Sequence, residues 1–411
     1  MMAFRVAHVC ANLPSQRGAA TISANSKIGI SIGSTRHWRD PKRHAWLLGL
    51  VIPVLVPWSW ILVKVTEWTL FWWWGVILVF GIIPVLDWVV GADSANAPES
   101  ALKSLQNDKY YRWATFAYLP GQLLSLVLAC WLLSGGGWQT MSLLDKCGLT
   151  VTLGIVGGIA INTAHELGHR RERVERVLSR VALMQTGYGH FYVEHNRGHH
   201  VRVATPEDPA SSLLGESVFQ FIPRSVIGGV RSACKLEAER LRKTGYRIWS
   251  LKNDVLSGWL MSLVLFTTLG IWFGRVVLPY MAAQAVIGFS LLEVVNYLEH
   301  YGLRRSLRPN GRYERVRPAH SWNSNNVVSN ILLFHLQRHS DHHAHPVRRY
   351  QTLLHHDEAP QLPTGYAGMI LLALVPPLWR RVMDPRVSDH YGGDLTLAAR
   401  NTRFNRTRTH E

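Results

Sequence analysis

The stretch from Leu336 to His345, LQRHSDHHAH, places His339, His342 and His343 within a single helical turn. Side chains three and four apart share one helix face, about 5 to 6 Å apart at Cβ, so their imidazoles can converge on one ion. Three further clusters extend the pattern: His165 and His169 in HELGH, His195, His199 and His200 in EHNRGHH, and His300 in NYLEHYG. One pair four apart is weak evidence; four clusters make chance a poor account. Imidazole suits zinc, copper, iron and nickel, so ligand type alone does not name the metal. A zinc site takes about four ligands, and nine histidines therefore suggest two metals sharing a site. All-neutral ligands leave the metal charge uncompensated, so carboxylates should orient the ring N–H groups from behind. Glu166, Glu194, Glu299 and Asp341 each adjoin a ligand candidate, and His190, His320, His335 and His345 near the boxes read as supporting residues.

The elements that must carry these clusters are membrane helices. Hydrophobic residues make up 47% of the 411 residues, yet mean hydropathy is only +0.03, so long apolar runs are balanced by strongly polar segments. The 17 tryptophans fit the aromatic belts of a bilayer interface. A formal charge of +17 would raise nucleic-acid binding in a soluble protein, but no nucleic-acid motif is present and positive charge collects in cytoplasmic loops. Cys10, Cys130, Cys147 and Cys234 form no CxxC pair, which excludes a zinc ribbon, a rubredoxin-type iron site and a disulfide framework.

Six runs near the ~20 residues that cross a ~30 Å hydrocarbon core are predicted at residues 45–65, 68–90, 113–133, 143–163, 255–273 and 276–297. Gly154 and Gly158 form a GxxxG that permits close helix approach. Residues 170–254 are arginine-rich and read as a cytoplasmic insertion, with an amphipathic helix over 232–244. The apolar run 369–379 is too short to span and contains Pro376 and Pro377, so it reads as interfacial or packed. The organisation expected is a cytoplasmic tail (1–44), a six-span domain (45–300), a cytoplasmic catalytic region (301–397) and a second tail (398–411). Counting crossings from a cytoplasmic N-terminus puts all four clusters on that same side of the cell inner membrane.

Two other functions compete at this point. HELGH matches HExxH, in which two histidines bind zinc and the glutamate is the general base of a peptidase, but that reading leaves three clusters idle. A membrane metal transporter would want ionisable residues buried in mid-membrane, and the spans show almost none.

With HELGHR, EHNRGHH, NYLEHYGL and LQRHSDHHAHP in this order on six spans, the chain resembles the integral-membrane alkane 1-monooxygenases over about residues 45–397. GYGHF at 187–191, PAHSWNSN at 318–325, LPTGY at 362–366 and GGDL at 392–395 belong to the same likeness. The resemblance implies an all-α, six-span non-haem diiron enzyme that inserts one atom of O2 into a terminal C–H bond to give a primary alcohol. Electrons would come from reduced rubredoxin, with its reductase upstream. Carried over box by box, the iron ligands would be His165, His169, His195, His199, His200, His300, His339, His342 and His343. An unactivated methyl group has no acidic proton, so a redox metal is required, and zinc is not one. A membrane fatty-acyl desaturase or hydroxylase is the alternative within the wider superfamily; NYLEHYGL and LQRHSDHHAHP argue against it.

Three finer expectations follow. The second span should line an apolar alkane channel, with Trp74, Val79 and Phe80 near the path and their bulk limiting chain length. Lacking a fused rubredoxin-like tail, the chain should take a separate, acidic donor on its basic surface, with Arg170, Arg171 and Arg173 as contacts. Asn326 stands where many members of the family have another histidine, so that position should not ligate here.

Overall fold

The structure, a computed structural model, describes residues 38–138 and 140–401. Most of both expected tails (1–37 and 402–411) lies outside the described residues. Among the described residues, six helices are long and apolar enough to cross a membrane: α1 (Ala45–Thr66), α2 (Thr69–Val90), α3 (Lys109–Leu133), α4 (Leu143–Gly168), α7 (Asp254–Phe273) and α8 (Arg275–His300). Between α4 and α7 lie α5 (Arg173–Met184) and α6 (Val218–Lys243). After α8 come α9 (His339–Ala344), α10 (Tyr366–Ala373) and α11 (Pro376–His390). Strand-like pairing among the described residues is confined to isolated bridges.

Local sequence sets the helix ends. Ser142 and Asp145 cap α4 reciprocally: the serine hydroxyl accepts from the Asp145 amide, and the Asp145 carboxylate accepts from the Ser142 amide. Asn253 accepts from the amides of Val255 and Leu256 and starts α7. Glu67, at φ 62°, stops α1 with a left-handed residue.

Helix α4 is the axis of the bundle. In its most apolar stretch 89% of the residues are buried, against 22% in α2 and in α7, whose Trp88, Ile271 and Trp272 point outward to lipid. The GxxxG expected to allow close approach does so against α8. A Cβ on Gly158 would lie 2.8 Å from the Gly288 carbonyl oxygen, and one on Gly154 would lie 2.7 Å from Ile287. Any larger residue pushes α4 and α8 apart, and these two helices end in His165 and His300.

One expectation needs adjusting, and a second is made more specific. Helix α6 starts at Val218 rather than near 232, because Pro223 and the Gly228-Gly229 pair read as breakers while Phe221, Ser225 and Gly229 are buried and hold the turn in place. The 369–379 run is packed on one face and open on the other: Pro376 opens α11, Met369, Ile370, Ala373 and Trp379 are buried, and Leu371, Leu374, Val375 and Leu378 are exposed.

Candidate metal centre

The four clusters converge at one end of the bundle, where the nine histidines sort into two groups. One holds His165, His169, His195, His200 and His342; the other holds His199, His300, His339 and His343. Within each group one ring nitrogen per residue lies within 4.8 Å of all the others. In the first, the Nε2–Nε2 separations are 3.1 Å for His169–His195, 2.9 Å for His195–His200 and 3.1 Å for His200–His342. In the second they are 3.2 Å for His199–His343, 2.8 Å for His339–His343 and 3.3 Å for His300–His339.

Ring nitrogens that bind one ion at about 2.0–2.1 Å stand about 3.0–3.4 Å apart, so both groups fit a metal. Hydrogen bonding explains the geometry less well, since rings that meet Nε2 to Nε2 cannot each be satisfied with one proton per neutral imidazole. His165 Nε2 is buried with no hydrogen-bond partner at all. Burial first, and then mutual repulsion of charged rings, hold His169, His195, His200, His339, His342 and His343 well below the usual imidazole range. Their lone pairs are therefore free to ligate at neutral pH.

Local folding delivers each ring. His165 and His169 leave the last turn of α4, and His300 is the last residue of α8. Glu194–His199 forms a π-helical turn, whose i→i+5 hydrogen bonding lays residues five apart over one another, which is how His195 meets His200. Helix α9 presents His339, His342 and His343, and is positioned by Arg338. That guanidinium is buried and donates to the carbonyls of Asp93, Ala95 and Leu353 at 3.1, 3.0 and 2.9 Å. The residues before it, Phe334 and His335, both have left-handed backbones at φ 49° and 54°, a conformation that costs about 1–3 kcal/mol for a non-glycine residue.

The acids divide in a way the sequence did not indicate. Asp208, absent from the expected set, takes the orienting role: its carboxylate lies 2.9 Å from His199 Nδ1. Glu299 lies 3.1 Å from His339 Nε2, on the ligating side of the ring, and accepts from the Tyr366 hydroxyl at 2.8 Å. The other three expected acids are not drawn toward ligand rings. Glu166 pairs with Arg170 at 2.6 Å and Glu194 with Arg202 at 2.7 Å. Asp341 holds Arg348, His345 and His356 at 2.7, 2.9 and 2.8 Å. Each adjoins a histidine in sequence but points off the helix face that the histidine uses. Burial pushes Glu194 up to about 7 despite its arginine.

An apolar cavity and an open depression lie beside the groups. The cavity, lined by Ile52, Val79, Ile159, Leu292, Leu333 and Ile370, also has Tyr366 in its wall, and Tyr366 leads through Glu299 to His339. Of the expected channel residues Val79 lines it. Trp74 meets Phe71 edge-on at 5.8 Å, Phe80 packs between two core clusters, and neither is in the wall. The π-helical stretch Ile77–Ile82 turns Val79 inward together with Ile83. The open depression is lined by Lys109, Arg112, Arg170, Arg171 and Arg349, with His169 among its lining residues.

Residues 146–373 match the fatty acid desaturase family. The chain is 48% identical over 324 residues to an alkane 1-monooxygenase of Acinetobacter baylyi, covering 79% of each protein. It is 43% identical over 358 residues to alkane 1-monooxygenase 1 of Alcanivorax borkumensis, 87% of each. An alkane 1-monooxygenase of Pseudomonas putida is 42% identical over 374 residues, 90% of this chain and 92% of that one. The chain belongs to the alkane 1-monooxygenase family.

Within this family frame, two positions singled out in the sequence have other duties. Asn326 donates to the Asp87 carbonyl at 3.2 Å and accepts from Ser324 at 2.8 Å, tying the end of α2 to the loop before α9. Arg170 donates to the carbonyls of Glu166, Val347 and Arg348 at 2.9, 2.7 and 2.9 Å and is buried, so it braces the site. Arg171 and Arg173 are exposed. Tyr366 was visible only as part of LPTGY, and Asp208, nine residues past His199, carried no signal.

Proposed function

We propose that this chain is a non-haem diiron monooxygenase of the cell inner membrane that converts an alkane to the primary alcohol, with its histidine groups on the cytoplasmic side. The observation that carries the reading is the apolar cavity whose wall includes Tyr366, hydrogen-bonded to Glu299, itself 3.1 Å from a ring of the four-histidine group. The names of the relatives supply the substrate class.

The five-histidine and four-histidine groups would each hold one iron, and the pair would supply the redox chemistry that activates O2 toward an unactivated C–H bond. The protein's own residues do the rest. Ile52, Val79, Ile159, Leu292, Leu333 and Ile370 exclude water and align the chain along one axis. A terminal C–H bond is stronger than its internal neighbours, so end-first alignment has to supply the regioselectivity. Asp208 fixes the His199 ring, and Tyr366 fixes the Glu299 carboxylate.

Electrons would come from reduced rubredoxin, kept reduced by its reductase. The basic depression at His169 suits an acidic carrier: it gathers Lys109, Arg112, Arg171 and Arg349 beside the one ligand ring among its lining residues. The HExxH peptidase reading is less well supported, because His165 and His169 share their group with three histidines from other elements.

The test is to purify the chain in detergent and supply O2, reduced rubredoxin and an alkane series. Formation of 1-alkanol that depends on all three is expected. Zinc in the purified protein, with peptide cleavage and no oxygen-dependent product, would overturn the reading.

A further inference from the structure

Beneath α6, and apart from the alkane cavity, lies a small pocket of different chemistry. His190, Glu194, Ser225, Glu293 and Asn296 line it, together with His195 from one histidine group and His199 from the other. Three polar atoms on its lining residues, His190 Nδ1, Glu194 Oε2 and Glu293 Oε2, are buried without a hydrogen-bond partner. Glu293 is 3% exposed, and its other oxygen accepts from the Tyr188 hydroxyl at 2.6 Å. Buried polar atoms left unpaired are costly, and three of them around a cavity of about 20 Å³, whose remaining wall is the apolar Phe191, Pro209 and Ala210, are the setting in which a single ordered water completes the bonding. The three do not form a metal set: the metal-holding groups found among the described residues are the two histidine groups.

The proposed reaction has a requirement that the apolar cavity cannot meet and that the open depression meets only beside His169, in the five-histidine group. Inserting oxygen obeys RH + O2 + 2 e⁻ + 2 H⁺ → ROH + H2O, so two protons must reach a buried centre in each turnover. The alkane cavity is apolar and conducts none. A histidine bound through Nε2 keeps only its Nδ1 proton, and the Nδ1 atoms of His200, His300, His339 and His343 are buried without partners that could replenish it. The Glu293 pocket is lined by a ring from each group, and α6 contributes Ser225 and Gly229 to its wall. Helix α6 turns Ser225 and Gly229 inward while Ile227 and Arg231 face out, and half-exposed Arg202 bonds Glu194 and Ser232 at its edge.

We propose that Glu293 is the proton-relay residue of this protein. It passes a proton from Oε2 through water in the pocket toward the space between His195 and His199, and takes its replacement from solvent on the α6 side. The electrons come from the one-electron carrier protein of the proposed reaction, on which this inference rests. The Tyr188 hydroxyl holds Oε1 and leaves Oε2, with Ser225 and Asn296 beside the carboxylate, as the oxygen that would bond the water.

Two variants test it. Glu293→Gln keeps the shape and removes the exchangeable carboxyl proton. Gly229→Val leaves every titratable group in place and fills the pocket, since a Cβ there already stands 3.8 Å from Glu194 Cγ and 4.0 Å from His190 Nε2. Both are expected to keep full iron content and to lower turnover by roughly a hundredfold, the usual scale for losing a proton-transfer group. Both should raise the solvent isotope effect and divert electrons to peroxide, and Glu293→Asp should recover part of the rate. Independently of turnover, the oxidised-minus-reduced infrared difference spectrum should show a carboxyl band that shifts in D2O and is missing from Glu293→Gln. A fully iron-loaded Glu293→Gln enzyme with turnover within about twofold of the parent and an unchanged isotope effect overturns the proposal. So does a difference spectrum unaltered by the substitution. If the parent itself makes no oxygen-dependent alkanol, the monooxygenase reading fails instead, while the infrared comparison still decides whether Glu293 exchanges a proton when the metal changes oxidation state.

Discussion

The four-histidine group and the five-histidine group differ in what surrounds them more than in their ligands. His199, His300, His339 and His343 are all buried, and two carboxylates stand against them: Asp208 behind His199 and Glu299 beside His339. In the five-histidine group His169 and His200 are only partly buried, no carboxylate is recorded against a ring, and His169 borders an open basic depression. Negative charge in a dry setting favours the more highly charged state of a bound ion. An all-imidazole set beside cationic residues favours the reduced state. In the proposed function the closed group would therefore suit the oxidising end of the reaction, nearer the apolar cavity through Tyr366, and the open group would suit electron entry.

Substitutions can break this contrast, and the largest effect is expected from removing a ligand. His343→Ala should cost one iron per chain and abolish alkanol formation. His169→Ala leaves four histidines in its group and should retain more iron while slowing reduction by the carrier; metal analysis and stopped-flow reduction read the two apart. Next, Asp208→Asn should lower metal affinity or turnover by about 10–100-fold, the usual range for a group that orients a ligand, with the loss confined to one of the two irons. A smaller effect is expected at the cavity: Val79→Trp should shorten the longest alkane accepted and spare the rate on short ones, and an unchanged chain-length profile would remove Val79 from the path. Smallest is the pH response of the metal-free fold. Burial holds His190 and His320 down to about 4, against an ordinary value of 6.5. Below pH 6.5 the unfolded chain binds protons that the folded one refuses, so stability should fall from 6.5 toward 4 and be constant just above that range; acid unfolding followed by circular dichroism checks it.

The spans and the nine histidines were legible because both obey simple periodicities, about twenty apolar residues per crossing and three or four residues per helical turn. The pairing of His195 with His200 was only half legible, since a spacing of five brings rings together on a π-turn and separates them on a regular helix. The split into five and four could not be read, because it depends on how α4, α8 and α9 cross. Adjacency misled for the acids: Glu166, Glu194 and Asp341 follow or precede ligands yet turn toward arginines, whereas Asp208 and Tyr366 reach the site through folding of distant segments. Trp74 and Phe80 were expected near the channel only because they lie on the second span with Val79, and of the three Val79 alone is in the cavity wall.

The most direct test of the account is the Mössbauer spectrum of the purified, iron-loaded chain, taken with its metal content. Two irons per chain giving two distinct subspectra of equal area are predicted, one for each histidine group, with Asp208→Asn altering one and sparing the other. A single iron, zinc in its place, or two irons with one indistinguishable signal that Asp208→Asn shifts as a whole would contradict two unlike histidine sites.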